Sequence, residues 1–133
     1  MTPFAKIKIS AGIMALGVVA GAFGAHSLKT VLADNSLQSW KTAVLYLLLH
    51  GMAMLVLAIW DEYSENCFSY IGLSWKCFLG GIFLFSGSIF LLATKSIHGL
   101  PVSWLGPITP IGGVFFIAGW LNLLRLRAVE KQH

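Results

Sequence analysis

Charge is scarce in this sequence. Asp, Glu, Lys and Arg make up 11% of 133 residues while hydrophobic types make up 57%, whereas a soluble domain is about one quarter charged. A soluble fold of this length exposes much of its surface and could not hide so much apolar area, so lipid is the expected solvent. Cysteine is scarce too. Cys67 and Cys77 stand ten apart without a CxxC or clustered histidines, which leaves a zinc site or a redox dithiol without its ligands. Basic runs are missing: nine Lys and Arg are scattered singly or in pairs, for a net charge of +4. A nucleic-acid face needs clustered cations, whereas scattered ones near helix ends suit anionic headgroups. No nucleic-acid partner is expected, and membrane lipids are. With no linker, low-complexity tract or repeat, the chain is read as one integral membrane domain, residues 1–133.

What is present is long apolar runs. Crossing the hydrocarbon core takes about 20 such residues, and four stretches qualify, at about 9–25, 42–60, 77–94 and 110–124. The predicted fold is all-α, a four-helix transmembrane bundle with short interfacial helices in its loops. The first stretch also has the look of a signal peptide, with Lys6 and Lys8 ahead of it and a small-residue Ala20-Gly21-Ala22. Its length and the three spans that follow favour a retained helix. Trp40 and Trp60 bracket the second span, Trp75 precedes the third, and Trp104 and Trp120 flank the fourth, as expected of rings that prefer the headgroup level.

The connections carry their own signals. Leu28, Val31 and Leu32 share helical spacing, and Asn35 with Gln38 has capping-box spacing, so the second helix is expected to begin before the membrane does. Phe68, Ile71 and Trp75 predict an interfacial turn of helix. Thr109 before Pro110 predicts an N-cap followed by proline at the first helical position. With four crossings, Lys6, Lys8, Lys76, Arg125, Arg127 and Lys131 lie on one side, against Lys29, Lys41 and Lys95 on the other. That bias predicts cytoplasmic termini.

Between apolar helices in lipid, close backbone approach and hydrogen bonds drive packing. Gly17, Gly21 and Gly24 continue a stripe from Ser10 on the first helix, Gly80, Gly81 and Gly87 lie on the third, and Gly112, Gly113 and Gly119 on the fourth. The stripe is read either as contact within one bundle or as a dimer seam. Gly21–His26 (GAFGAH), Trp40–His50 (WKTAxxYxxxH), Phe85–Ser88 (FSGS), Ile108–Gly113 (ITPIGG) and Gly119-Trp120 occur in that order. In that combination the chain resembles domain-of-unknown-function family 423, over nearly its whole length. The resemblance implies a helical protein of the bacterial inner membrane. It supplies neither an activity nor a catalytic residue.

Within the four core spans there is no Asp, Glu, Lys or Arg, and His50 is the central ionisable residue. Such a residue is a functional candidate by default. Ala43, Tyr46, His50, Ala53 and Leu57 share one helical face, which places His50 toward the bundle with Tyr46 as its hydrogen-bond neighbour. Burial disfavours the charged ring, so a neutral His50 linking helices is expected. His26 ends the first helix, too far from His50 in depth to share a haem or metal, and reads as an interfacial cap. Ser86, Ser88, Thr109 and Asn122 are polar enough to line a path, although serine in a membrane helix commonly bonds its own i−4 carbonyl. Nothing assembles a nucleophile, a base and an oxyanion site. No cofactor or metal is expected. The sequence thus predicts a non-enzymatic protein that assembles with itself or with a larger membrane complex. The alternative is a small transporter or channel using His50 and nearby polar groups.

Overall fold

In the computed structural model, residues 1–63 and 68–126 are described, and they form helices and turns without a strand. Helix α1 is Pro3–His26, opened by the Thr2 hydroxyl on the Ala5 amide with proline in the first turn. Helix α2 is Asp34–Tyr63. A third rod is continuous: α3, Phe68–Gly81, passes through a π-helical stretch, Ile82–Gly87, into α4, Ser88–Ala93. The short α5, Lys95–His98, stops at Gly99, whose φ of 66° is left-handed and is carried cheaply only by glycine. Helix α6 is Ile108–Leu123. Four helical stretches, Pro3–Thr30, Asp34–Tyr63, Tyr70–Ala93 and Ser103–Leu123, are long and apolar enough to cross a membrane.

The helices overrun the apolar runs. As expected, α2 begins before its apolar stretch, at Asp34, but two other readings change. The turn expected around Ile71 and Trp75 is instead part of α3, and both residues are fully buried in the core. Thr109 is not an N-cap: α6 opens at Ile108 behind Pro107 without a side-chain cap. The Thr109 hydroxyl bonds Ser88 Oγ on α4 at 2.6 Å instead.

The core forms where α2 meets the third rod. Met54, Leu57 and Ala58 pack with Ile71, Trp75, Phe78 and Ile82, joined by Ile13 from α1 and Phe116 from α6. Helix α1 lies along α2, and α6 lies along α3 and the π stretch. A smaller cluster of Leu28, Leu32 and Leu37, with Trp40 against it, closes the first connection.

Glycine lets these helices approach, as expected where lipid gives no hydrophobic drive to association. A Cβ at Gly17 would sit 2.5 Å from Leu48 Cδ2, and one at Gly24 would sit 2.7 Å from Trp40. Gly21 is looser, at 3.5 Å from Val44. The small stripe of α1 therefore meets α2 of the same chain. Between α3 and α6, rings fill glycine notches: Phe116 over Gly81, Phe78 over Gly119, and the Phe85 backbone against Gly112. Gly87 and Gly113 take no part in this close approach, since their nearest neighbours lie 3.9 and 4.0 Å from an added Cβ.

Candidate functional site

His50 lies near the middle of α2 and is 3% exposed. Its Nε2 receives the indole N–H of Trp120 from α6 at 3.1 Å, and its Nδ1 lies 2.9 Å from the Tyr46 carbonyl oxygen. An N–H donor on Nε2 makes that nitrogen an acceptor, so the proton is on Nδ1 and is donated to the carbonyl. This network assigns a neutral ring and one tautomer. The expected Tyr46 neighbour is present, but its backbone makes the bond. Its ring instead stacks 5.9 Å from the imidazole. Phe116 lies flat on the imidazole at 3.6 Å between centroids, and Phe78 meets it edge-on at 5.3 Å.

A cleft of about 500 Å³ opens beside this cluster, lined by Tyr46, Leu49 and His50 of α2 and by Phe116, Ile117 and Trp120 of α6, among others. Trp120 and Tyr46 are 45% and 39% exposed, so the cleft faces outward from the bundle. Nothing in this lining supplies a nucleophile paired with a base. The one imidazole has both nitrogens engaged.

The other polar side chains tie helices together. Ser86 Oγ donates to the Ala43 carbonyl of α2 at 2.9 Å, across the bundle rather than along its own helix as expected. Ser88 does follow the expected pattern, at 2.6 Å from the Leu84 carbonyl oxygen, and adds the Thr109 contact. Asn122 donates to the Tyr70 carbonyl and to Ser74 Oγ, while Ser74 donates to the Gly119 carbonyl. His26 is exposed at the end of α1 and stands apart from the His50 cluster.

Three tryptophans read as interfacial anchors are ties between helices, and Trp120, expected at the headgroup level, instead lies at the depth of His50. Trp40 donates to the Ala20 carbonyl at 2.9 Å, and the fully buried Trp75 donates to Ser10 Oγ at 3.1 Å.

The sequence reading missed one ion pair. Lys6 Nζ of α1 contacts Asp61 Oδ2 of α2 at 2.6 Å, with side-chain exposures of 8% and 2%. The other carboxylate oxygen, Oδ1, is buried without a hydrogen-bond partner among the described residues. Ser10 donates back to the Lys6 carbonyl and receives Trp75, so the pair is continuous with the tie from α1 to α3. Two signals pointed to it. Lys6 continues the Ser10 stripe four residues earlier, and Asp61 lies eleven residues, three turns, beyond His50 on the same face of α2. Cys67, Arg127 and Lys131, which entered the sequence reading, lie outside the described residues.

Fold and site together define a small multi-pass helical membrane protein, cross-braced by neutral polar groups at its centre and by one ion pair near one end. The chain belongs to the family described as "Protein of unknown function (DUF423)", whose profile matches residues 20–113. It is 40% identical over 109 residues to UPF0382 membrane protein SH2409 of Staphylococcus haemolyticus, covering 82% of this chain and 83% of that one. It is 39% identical over 109 residues to UPF0382 membrane protein YwdK of Bacillus subtilis, covering 82% and 84% respectively. No solved structure matches the chain.

Proposed function

We propose that this protein is a non-enzymatic helical module of the cytoplasmic membrane, acting by association with copies of itself or as an accessory component of a larger membrane complex. The observation that carries this reading is how its polar groups are used. Ser74, Ser86, Ser88, Asn122 and three tryptophans bond to other helices of the same chain, which favours one rigid arrangement. The outer faces meanwhile present large apolar side chains, among them Leu16, Val19 and Phe23 on α1 and Val114, Phe115 and Leu121 on α6. The positive-inside bias supports cytoplasmic termini.

Extraction in mild detergent, with light scattering for the protein mass and quantification of co-purifying chains, tests the proposal. A homo-oligomer or a stoichiometric companion is expected. A lone monomer from several detergents would overturn it. Orientation is tested separately with an impermeant thiol reagent in a Cys77→Ser background. Cys67 should then react only after the membrane is opened.

Transport is the second reading, favoured by the position of His50 on the wall of an outward-facing cleft. Proton-coupled transport generally uses an intramembrane carboxylate or a relay of ionisable groups, and the residues around His50 are aromatic and aliphatic. Equal loss of a deletion phenotype in His50→Gln and His50→Leu, with both proteins fully stable, would put transport first.

A further inference from the structure

We propose that the seam between α2 and α6 holds one membrane lipid with an uncharged, hydroxyl-bearing headgroup, in the leaflet on the side where α2 begins. Two cavities follow one another along these helices. The first, about 380 Å³, is lined by Asn35, Ser36, Ser39 and Thr42 of α2 and by Thr109 of α6, with α4 behind. The second is the 500 Å³ cleft, where Tyr46, Leu49, Phe116 and Ile117 replace the polar lining. The seam thus passes from hydrogen-bonding groups to hydrocarbon in the order found along a lipid.

Its length fits one leaflet. The Trp120 N–H reaches His50 across the seam, and beyond this crossbar lies a separate cavity lined by Met52, Val56 and Leu123. His50 is fifteen residues past Asn35, about 22 Å at 1.5 Å per residue. Half of a bilayer with its headgroups is about 20–22 Å. Leu49 and Trp120 line both this cavity and the cleft, so the Trp120 ring divides the groove at mid-depth, which suits an occupant one leaflet long better than a helix running the whole core of about 30 Å.

The lining also selects the headgroup. None of the residues lining the first cavity is charged, whereas a phosphate is best held by cationic donors such as Arg and Lys. Ser39 and Thr42 donate their hydroxyl protons to the Asn35 and Gln38 carbonyls, which leaves their oxygens as acceptors. When Ser88 donates to Leu84, Thr109 donates to Ser88 and likewise offers lone pairs. With the Asn35 amide and the Ser36 hydroxyl as donors beside these acceptors, the lining offers both roles without charge, which suits a headgroup that donates and accepts, as sugar or glycerol hydroxyls do.

The test is native mass spectrometry of the protein released from nanodiscs holding monoglucosyl-diacylglycerol and phosphatidylglycerol in equal amounts. One glucosyl lipid should stay bound per chain, at least tenfold over phosphatidylglycerol. Gly113→Leu puts a side chain into the cleft, where the nearest atom to its Cβ is Phe85 Cδ2 at 4.0 Å, and should lower retention at least tenfold. Gly12→Leu, with nothing within 4 Å of its Cβ, should retain lipid like the parent. Ile117→Trp fills the same cleft if Gly113→Leu loses helix content. Equal or greater retention of phosphatidylglycerol, unchanged retention in the folded cleft variants, or conversion of a dimer to a monomer by those variants would each overturn the proposal. The last result would assign the seam to a second copy.

Discussion

Lys6–Asp61 and His50–Trp120 both bridge helices, but they solve the problem of a polar group in lipid in opposite ways. The first is a full ion pair where α1 starts and α2 ends, with one carboxylate oxygen unmatched among the described residues. The second lies at mid-depth, is neutral, and engages both nitrogens of its ring. Desolvating a charge grows costlier toward the bilayer centre, so charge is placed near the rim and a neutral bond at the middle. Damage should differ accordingly. Removing one member of an ion pair strands a charge, whereas removing a neutral bond leaves only an unmatched dipole.

The largest effect tests that contrast directly. Lys6→Met or Asp61→Leu alone should cost about 3–5 kcal/mol, and the double variant should recover most of it, as for other buried pairs. Reversible unfolding in mixed micelles measures this. Single variants no worse than His50→Leu would erase the distinction. Next comes Gly17→Leu, which forces a side chain into Leu47 and Leu48 and should cost about 1–3 kcal/mol, the usual range for overpacking. Gly12→Leu on the open face of α1 should be close to neutral. If Gly17→Leu instead folds normally but loses a dimer, the stripe also serves between chains. His50→Leu should cost only about 0.6 kcal/mol and at most about 1.7, with His50→Gln in between. The smallest expected signal is in a cycle. Trp120→Phe removes the same bond from the other side, so its combination with His50→Leu should cost less than the sum. Strict additivity would mean that the crossbar carries no coupling.

The sequence made the helices legible because each apolar run is long enough to span, and the glycines because their spacing on α1 faces one direction. His50 stood out as the ionisable residue inside a run. Its partner did not, since Trp120 lies seventy residues away and no periodicity links the two. Lys6 and Asp61 were overlooked for a different reason. Spans were bounded by where apolar residues stop, but hydrogen-bonded helix continues past that point, to Pro3 in α1 and to Tyr63 in α2. Trp75 shows the limit of reading tryptophan as a surface marker, because an indole that finds a hydroxyl such as Ser10 can be buried whole. The π stretch had no local signature either. Its wider turn lies where Gly112 presses on the Phe85 backbone, a contact between segments far apart in the chain.

The Lys6–Asp61 pair also bears on the order in which the chain can be assembled. Both partners, and the glycine stripe that aligns their helices, belong to the first 61 residues. A hairpin of α1 and α2 can therefore neutralise its own charges while later helices are still being synthesised. Trp75 then arrives at a Ser10 that is already bonded to the Lys6 carbonyl, so α3 docks on a finished surface. Losing either charge would then be felt first during biogenesis, as a hairpin that enters the membrane with an uncompensated ion, and only afterwards as a weakened fold.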